Sequence, residues 1–231
     1  MKTYQIHLIR HAMTAGNLAG QYIGQTDVDV TEEGLKQIDE LVEEYGGYPA
    51  VDAVFSSPLK RCLQTAKHIY PQKEPILLDG LSEYDFGEFE GRTADELKET
   101  EAFQVWLSGT HPEIPVPFGE SQLDFNKRIC SCFVGMVNGI IEAGVQSTAV
   151  FTHGGVIMAL MQAFALPEAK MHEWMTPNAC GYTLRIDPAL WARCGKLEAF
   201  AECPAVPLTD EEEYAQWDYY REDDADISEY I

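Results

Sequence analysis

The apolar positions of this chain fall into short runs that stop abruptly, and two of the runs stop in the same way. Ile6, Leu8 and Ile9 give residues 3–10 the pattern of a buried strand, which ends at Arg10 and His11 and is followed by small or polar residues at Thr14, Gly16 and Asn17. Ala149, Val150 and Phe151 repeat the design over residues 148–153, where the run ends at His153 and Gly154-Gly155 opens an apolar helix over 155–165. Short apolar runs bounded by polar residues read as strands buried on both faces. In open α/β sheets, ligands bind beyond the carboxyl ends of the strands. Two such strands side by side would bring His11 and His153 to one crevice.

The rest of the pattern alternates in kind. Gln21 to Val30 reads as a loop in which Gly24 permits close approach of backbone to a ligand. Thr31 caps a helix with Glu32 and Glu33 in its first turn. Leu35, Ile38, Leu41 and Val42 give its apolar face, and Gly46-Gly47 ends it. Val51 to Phe55 predicts a second strand. Ser57-Pro58 predicts a cap with proline at the first helical position, which places Arg61 in that helix's first turn. Pro75 to Leu78 predicts a short third strand, and Thr93 with Glu96 has the form of a capping box.

Residues 100–120 read as loop-rich, with Gly109, Pro112, Pro115, Pro117 and Gly119, in the manner of a lid. Ser121 caps a long helix with Ile129, Phe133, Met136, Val137 and Ile140 on one face. Cys180 to Ile186 and Lys196 to Ala201 predict late strands toward a sheet edge. Strands alternating with helices argue for an α/β three-layer sandwich with a mostly parallel central sheet.

Composition narrows the class. The chain has 231 residues, enough for one sizeable core, and its 45% hydrophobic content marks it as globular. A net charge of -22 argues against nucleic acid or an anionic membrane as partner. An anion site here must be a local basic pocket, and Arg10 and Arg61 are its candidate walls. No apolar leader precedes the first strand and no run is long enough to span a membrane, so a cytoplasmic location is expected. The six cysteines show no metal-site spacing and are expected as reduced, buried thiols. From Thr209 the chain becomes acidic with interleaved Trp217, Tyr219 and Tyr220, which divides it into a catalytic domain over 1–204 and an acidic, aromatic-containing tail over 205–231.

The chemistry centres on the strand ends. A guanidinium without an anionic partner is costly to bury, so Arg10 calls for an anion. His11 by itself could be a nucleophile, a base, a metal ligand or a packed ring. His7, His68, His111 and His172 have no motif around them and read as structural or solvated.

Four motifs in order carry a resemblance. Leu8-Ile9-Arg10-His11 with Thr14 and Asn17, Ser56-Ser57-Pro58-Leu59-Lys60-Arg61, Glu83-Tyr84-Asp85-Phe86-Gly87 with Glu90-Gly91, and His153-Gly154-Gly155 together resemble the histidine phosphatase superfamily, branch 1. That group includes the cofactor-dependent phosphoglycerate mutases, and the pattern is closest to its α-ribazole phosphatase-like and broad-specificity members. The resemblance implies a phosphoglycerate mutase-like fold and hydrolysis of a small-molecule phosphomonoester through a phosphohistidine, without metal or other cofactor.

It implies His11 as nucleophile, with Arg10, Arg61 and His153 on the phosphoryl oxygens, His153 being most useful if protonated. Asn17, Gly24 and Gly154 join as substrate-binding positions, and Glu83 is the proton donor in preference to Glu88 and Glu90. Between Tyr84 and Glu120 only Arg92 and Lys98 are Lys or Arg, against nine carboxylates, which favours a phosphatase over a mutase. A mutase-type transfer is the alternative. A catalytically silent phosphate-binding protein is a further one, although all five catalytic positions are filled.

Overall fold

The structure, a computed structural model, describes residues 4–205. The expected tail, with Trp217, Tyr219 and Tyr220, lies from residue 206 outside the described residues. Seven strands form one sheet in the order β3-β2-β4-β1-β6-β7-β5. They are β1 (Tyr4–Arg10), β2 (Ala53–Ser56), β3 (Ile76–Leu77), β4 (Ser147–Thr152), β5 (Ala165–Leu166), β6 (Gly181–Ile186) and β7 (Leu197–Cys203). Eight helices accompany them: α1 (Ala15–Leu18), α2 (Glu32–Tyr45), α3 (Lys60–Ile69), α4 (Ala94–Leu97), α5 (Glu101–Ser108), α6 (Gln122–Ala143), α7 (Gly154–Phe164) and α8 (Pro188–Cys194).

The two histidine-ending strands are neighbours. β1 and β4 pair in parallel with Arg10 opposite Thr152, so His11 and His153 leave the sheet at the same level. Their alternating residues serve opposite faces. Ile6, Leu8 and Val150 pack with Phe133 and Val137 of α6 and Val156 and Ile157 of α7. Ile9, Ala149 and Phe151 pack the other way, with Val54 of β2 and Cys62 and Ala66 of α3. This is the expected three-layer α/β arrangement with a mostly parallel sheet.

Three expectations need correction. β6 and β7 are antiparallel additions to the sheet, but β6 is internal: it pairs with β1 along Tyr4–Ile9, and Gly181 lies where a Cβ would strike the Leu8 carbonyl. The outer strand on that side is the two-residue β5. Within the segment read as loop, Glu101–Ser108 is helical, because Phe103 is buried and Trp106 packs against the main core. Finally, α3 begins at Lys60 after Leu59, with no side-chain cap, so Pro58 stands outside the helix. Ser57 fails as a cap because its hydroxyl is engaged with His153 (Nε2···Oγ 2.8 Å) and lies a marginal 3.4 Å from the Leu59 amide. Arg61 is still in the first turn, facing the crevice.

Candidate active site

The end of β1 fixes His11 by its ring. His11 Nδ1 lies 2.8 Å from the carbonyl oxygen of Ala12. A carbonyl only accepts, so Nδ1 carries the proton and the lone pair is on Nε2. The main chain around it is held from three sides. Ala12 N donates to Thr65 Oγ1 at 2.8 Å, Asn178 Nδ2 donates to the His11 carbonyl at 2.9 Å, and His11 N donates to the Thr152 carbonyl at 2.9 Å. Burial pushes the His11 pKa down from 6.5 to about 3; the charges of Arg61 and Arg10 add to this, while the bond to Ala12 opposes it. The ring is therefore neutral at physiological pH, with a free imine nitrogen.

His153 stands beside it, with ring centroids 5.3 Å apart and planes at 61°. Its bonding differs. Arg61 Nε donates to His153 Nδ1 at 3.2 Å, so Nδ1 is the acceptor and Nε2–H donates to Ser57 Oγ. Burial, then the charges of Arg61, His11, Arg10 and Arg128, hold its pKa well below 6.5. His153, which would be most useful to an anion if protonated, is thus held as a neutral ring, by burial first and then by the neighbouring guanidinium charges.

Arg61 is completely buried. Besides His153, it donates from Nη1 to the Thr26 carbonyl at 2.9 Å and from Nη2 to the Gly24 carbonyl at 2.7 Å. Three of its five N–H groups are engaged by protein. Arg10 donates from Nη1 to the Thr176 carbonyl at 2.8 Å, whereas its buried Nε has no partner among the described residues. Orphaned guanidinium donors beside a neutral imidazole suit an anion.

Glu83 completes the cluster. It is buried, with Oε1 accepting from Tyr84 N and Oε2 from Gly155 N, both at 2.9 Å. Burial raises its pKa, against the opposing pull of those two amides and of Arg61 and Arg10. A Cβ at Gly155 would lie 2.5 Å from Glu83 Oε1, so a larger residue there would push the carboxyl out of place. Gly154 lets the Arg10 guanidinium lie against the start of α7; a Cβ there would sit 3.3 Å from Nε.

The other carboxylates separate cleanly. Glu88 is exposed. Glu90 accepts from Gly24 N, Gln25 N and Thr26 Oγ1, and so organises the loop whose carbonyls hold Arg61. That changes the reading of Gly24: a Cβ there would strike the Tyr84 carbonyl, so its close approach is to the Glu83 loop rather than to a ligand. Asn17 uses Oδ1 to accept from Thr14 N and from Asn178 Nδ2, and its Nδ2 has no partner among the described residues. Asn178, Thr65 and Arg128 were not singled out from sequence, while Ser57 entered as a helix cap and Glu90 as a rival acid. The local signals are shared motifs, Ser57 with Arg61 and Glu90 with Glu83.

The remaining histidines are accounted for elsewhere. His7 is buried against Thr183 and Ser147, His68 pairs with Asp39, and His111 with Glu113, while His172 is exposed. Cys62, fully buried beside the His153 ring, has its thiol pushed up to about 12 chiefly by burial.

The arrangement brings two guanidinium groups with unengaged donors, a neutral histidine and a buried carboxyl together at the ends of parallel strands. The family model of the histidine phosphatase superfamily (branch 1) matches residues 6–193. The chain belongs to that superfamily. Among its relatives, a metal-independent phosphoserine phosphatase of Arabidopsis thaliana is 32% identical over 162 residues, covering 68% of this chain and 66% of the relative. A 2,3-bisphosphoglycerate-dependent phosphoglycerate mutase of Rhizobium etli is 30% identical over 166 residues, covering 67% and 77%. In fold, the crystal structure of the α-ribazole phosphatase from Shigella flexneri superposes with a TM-score of 0.70 at 22% identity, over 89% of this chain and all (100%) of that one.

Proposed function

We propose that the protein is a phosphatase that hydrolyses a small-molecule phosphomonoester through a phosphohistidine on His11, without a metal. The observation that carries this is the His11–Ala12 hydrogen bond, which fixes the tautomer and leaves Nε2 as an unprotonated nucleophile between two arginines and a buried acid. Nε2 attacks phosphorus as the ester bond breaks, and Glu83 gives its proton to the departing alkoxide. The unengaged N–H groups of Arg10 and Arg61, Asn17 Nδ2 and the Gly154 amide at the start of α7 receive the phosphoryl oxygens. His153 holds Arg61 through Nδ1, and its Nε2–H reaches a phosphoryl oxygen by exchanging with Ser57. In the second half, Glu83 takes a proton from water as water attacks the phosphohistidine, and His11 leaves neutral. The guanidinium groups supply the positive charge, which is the basis for expecting metal independence.

A mutase must also hold a carboxylate and a second phosphate. The lid segment offers little for that: Arg92 donates to the Glu96 carbonyl and Lys98 pairs with Asp95 at the surface. Hydrolysis is the favoured reaction for this reason. The test is turnover of nitrophenyl phosphate and of a panel of phosphorylated metabolites after exhaustive chelation, alongside interconversion of phosphoglycerates. Retained hydrolysis with no interconversion supports the reading. Loss of hydrolysis restored by a divalent ion, or interconversion faster than hydrolysis, contradicts it.

A further inference from the structure

We propose that Arg128 is a positioning residue for the proton donor: its guanidinium sets the main chain that carries Glu83, and through it the place of the Glu83 carboxyl beside His11. The inference rests on Glu83 being the proton donor, as proposed above.

Arg128 sits on the long helix α6, anchored in the core by Phe125, Ile129 and Phe133 on either side. Its five N–H groups make five contacts. Nη1 donates to the carbonyls of Gly80 (3.2 Å) and Ser82 (2.8 Å). Nη2 donates to the carbonyl of Glu83 (3.2 Å) and to Glu120 Oε1 (2.6 Å), and Nε to Glu120 Oε2 (3.3 Å). Glu120 extends the grip: its Oε1 accepts from Asp85 N at 2.9 Å and its carbonyl from Tyr84 Oη at 2.7 Å. The residues flanking Glu83 on both sides are thus tied to one ion pair, whose arginine stands on α6 and whose carboxylate stands just before it.

Two alternatives are weaker. Arg128 is poorly suited to hold a substrate anion, since its donors are all engaged and its charge is matched by the Glu120 carboxylate. A purely stabilising surface ion pair would not reach three carbonyls, those of Gly80, Ser82 and Glu83, of the chain that bears the acid. A side chain held at its carboxyl end only by the Tyr84 and Gly155 amides depends on where its own main chain lies. Misplacement of a catalytic group by about 1 Å can cost roughly 10²-fold.

The experiment compares the full-length chain with Arg128→Lys, Glu120→Gln and Glu83→Gln, measuring the single-turnover rate of His11 phosphorylation, and KM, on glycerol phosphate and nitrophenyl phosphate, with melting temperatures. An alkoxide needs the proton and a nitrophenolate barely does. Arg128→Lys is expected to slow phosphorylation of His11 by the alkyl ester roughly tenfold or more while phosphorylation by the aryl ester changes by less than about threefold, with KM little altered; hydrolysis of the phosphohistidine also uses Glu83, is common to both esters and is read separately. Equal losses on both esters that follow the melting temperature mean a structural role only and overturn the proposal, as does no loss. If Arg128→Lys does not fold, Glu120→Gln carries the test: a smaller defect confined to the alkyl ester supports the proposal and its absence overturns it. If Glu83→Gln itself shows no alkyl-selective defect, the acid assignment falls and this inference with it; a defect in Glu83→Gln alone overturns the Arg128 role and leaves the acid in place.

Discussion

The ends of β1 and β4 are near copies in sequence and differ in what their histidines are bonded to. His11 has one nitrogen tied to the next carbonyl and one free. His153 has both engaged, one accepting from Arg61 and one directed at Ser57. An apolar strand, a terminal histidine and small residues after it therefore specify where a ring stands. The hydrogen bonds made by elements far away in sequence decide what the ring does. On this account His11 is the group that reacts, and His153 is the group that arranges Arg61 and meets the phosphoryl oxygens.

The largest effect that sharpens the comparison is on chemistry. His11→Ala should lower turnover by roughly 10⁴-fold or more, the scale seen when a nucleophile is removed. His153→Ala should cost about 10²–10³-fold, as for loss of a donor to developing charge, and should still form phosphoenzyme. Equal losses in steady-state and single-turnover assays would erase the distinction between the rings.

Stability against pH tests the claim that both rings are neutral. His7 is pushed down to about 4 by burial, His11 to about 3, and His153 well below 6.5. As pH falls through 6.5 the unfolded chain takes protons that the folded chain refuses. The folded state therefore loses stability from about pH 6.5 downward. Glu83, with its raised pKa, acts in the opposite sense, since its contribution is lost as pH rises through its folded value. Three lowered histidines outweigh it, so the urea midpoint should fall between pH 7 and pH 5. A midpoint that rises over that range would show that the rings accept protons in the folded protein.

The smallest effect concerns Ser57. Ser57→Ala leaves His153 Nε2–H buried without its acceptor, which costs about 1–3 kcal/mol. A phosphate oxygen can replace that acceptor. Inorganic phosphate should accordingly raise the melting temperature of the variant more than that of the parent protein. An equal rise in both would mean that His153 does not face the anion.

The strands carrying His11 and His153 were legible in the sequence because short apolar runs and their terminal residues are local patterns. The same holds for the helices after Thr31 and Ser121, whose caps are close at hand. The helix at Glu101–Ser108 was obscured by the glycines and prolines that follow it, and its real signal, burial of Phe103, is a tertiary fact. The roles of Gly24, Glu90 and Arg128 were not legible, because each is defined by partners dozens of residues away. Glu90 reaches the loop at Gly24, and Arg128 reaches the carbonyls at Gly80 to Glu83. That His153 is held neutral was not legible either, because its burial and the donation from Arg61 to its ring are tertiary facts.

The central claim is that His11 Nε2 is the atom that carries phosphate. Rapid quenching of the enzyme with substrate into alkali, followed by peptide mapping and identification of the phosphohistidine isomer, tests it directly. The account predicts an alkali-stable, acid-labile phosphate on His11 at Nε2, formed and consumed at rates that match turnover. Phosphate on Nδ1 of His11, phosphate on His153, or turnover with no phosphoenzyme at any time point would contradict it.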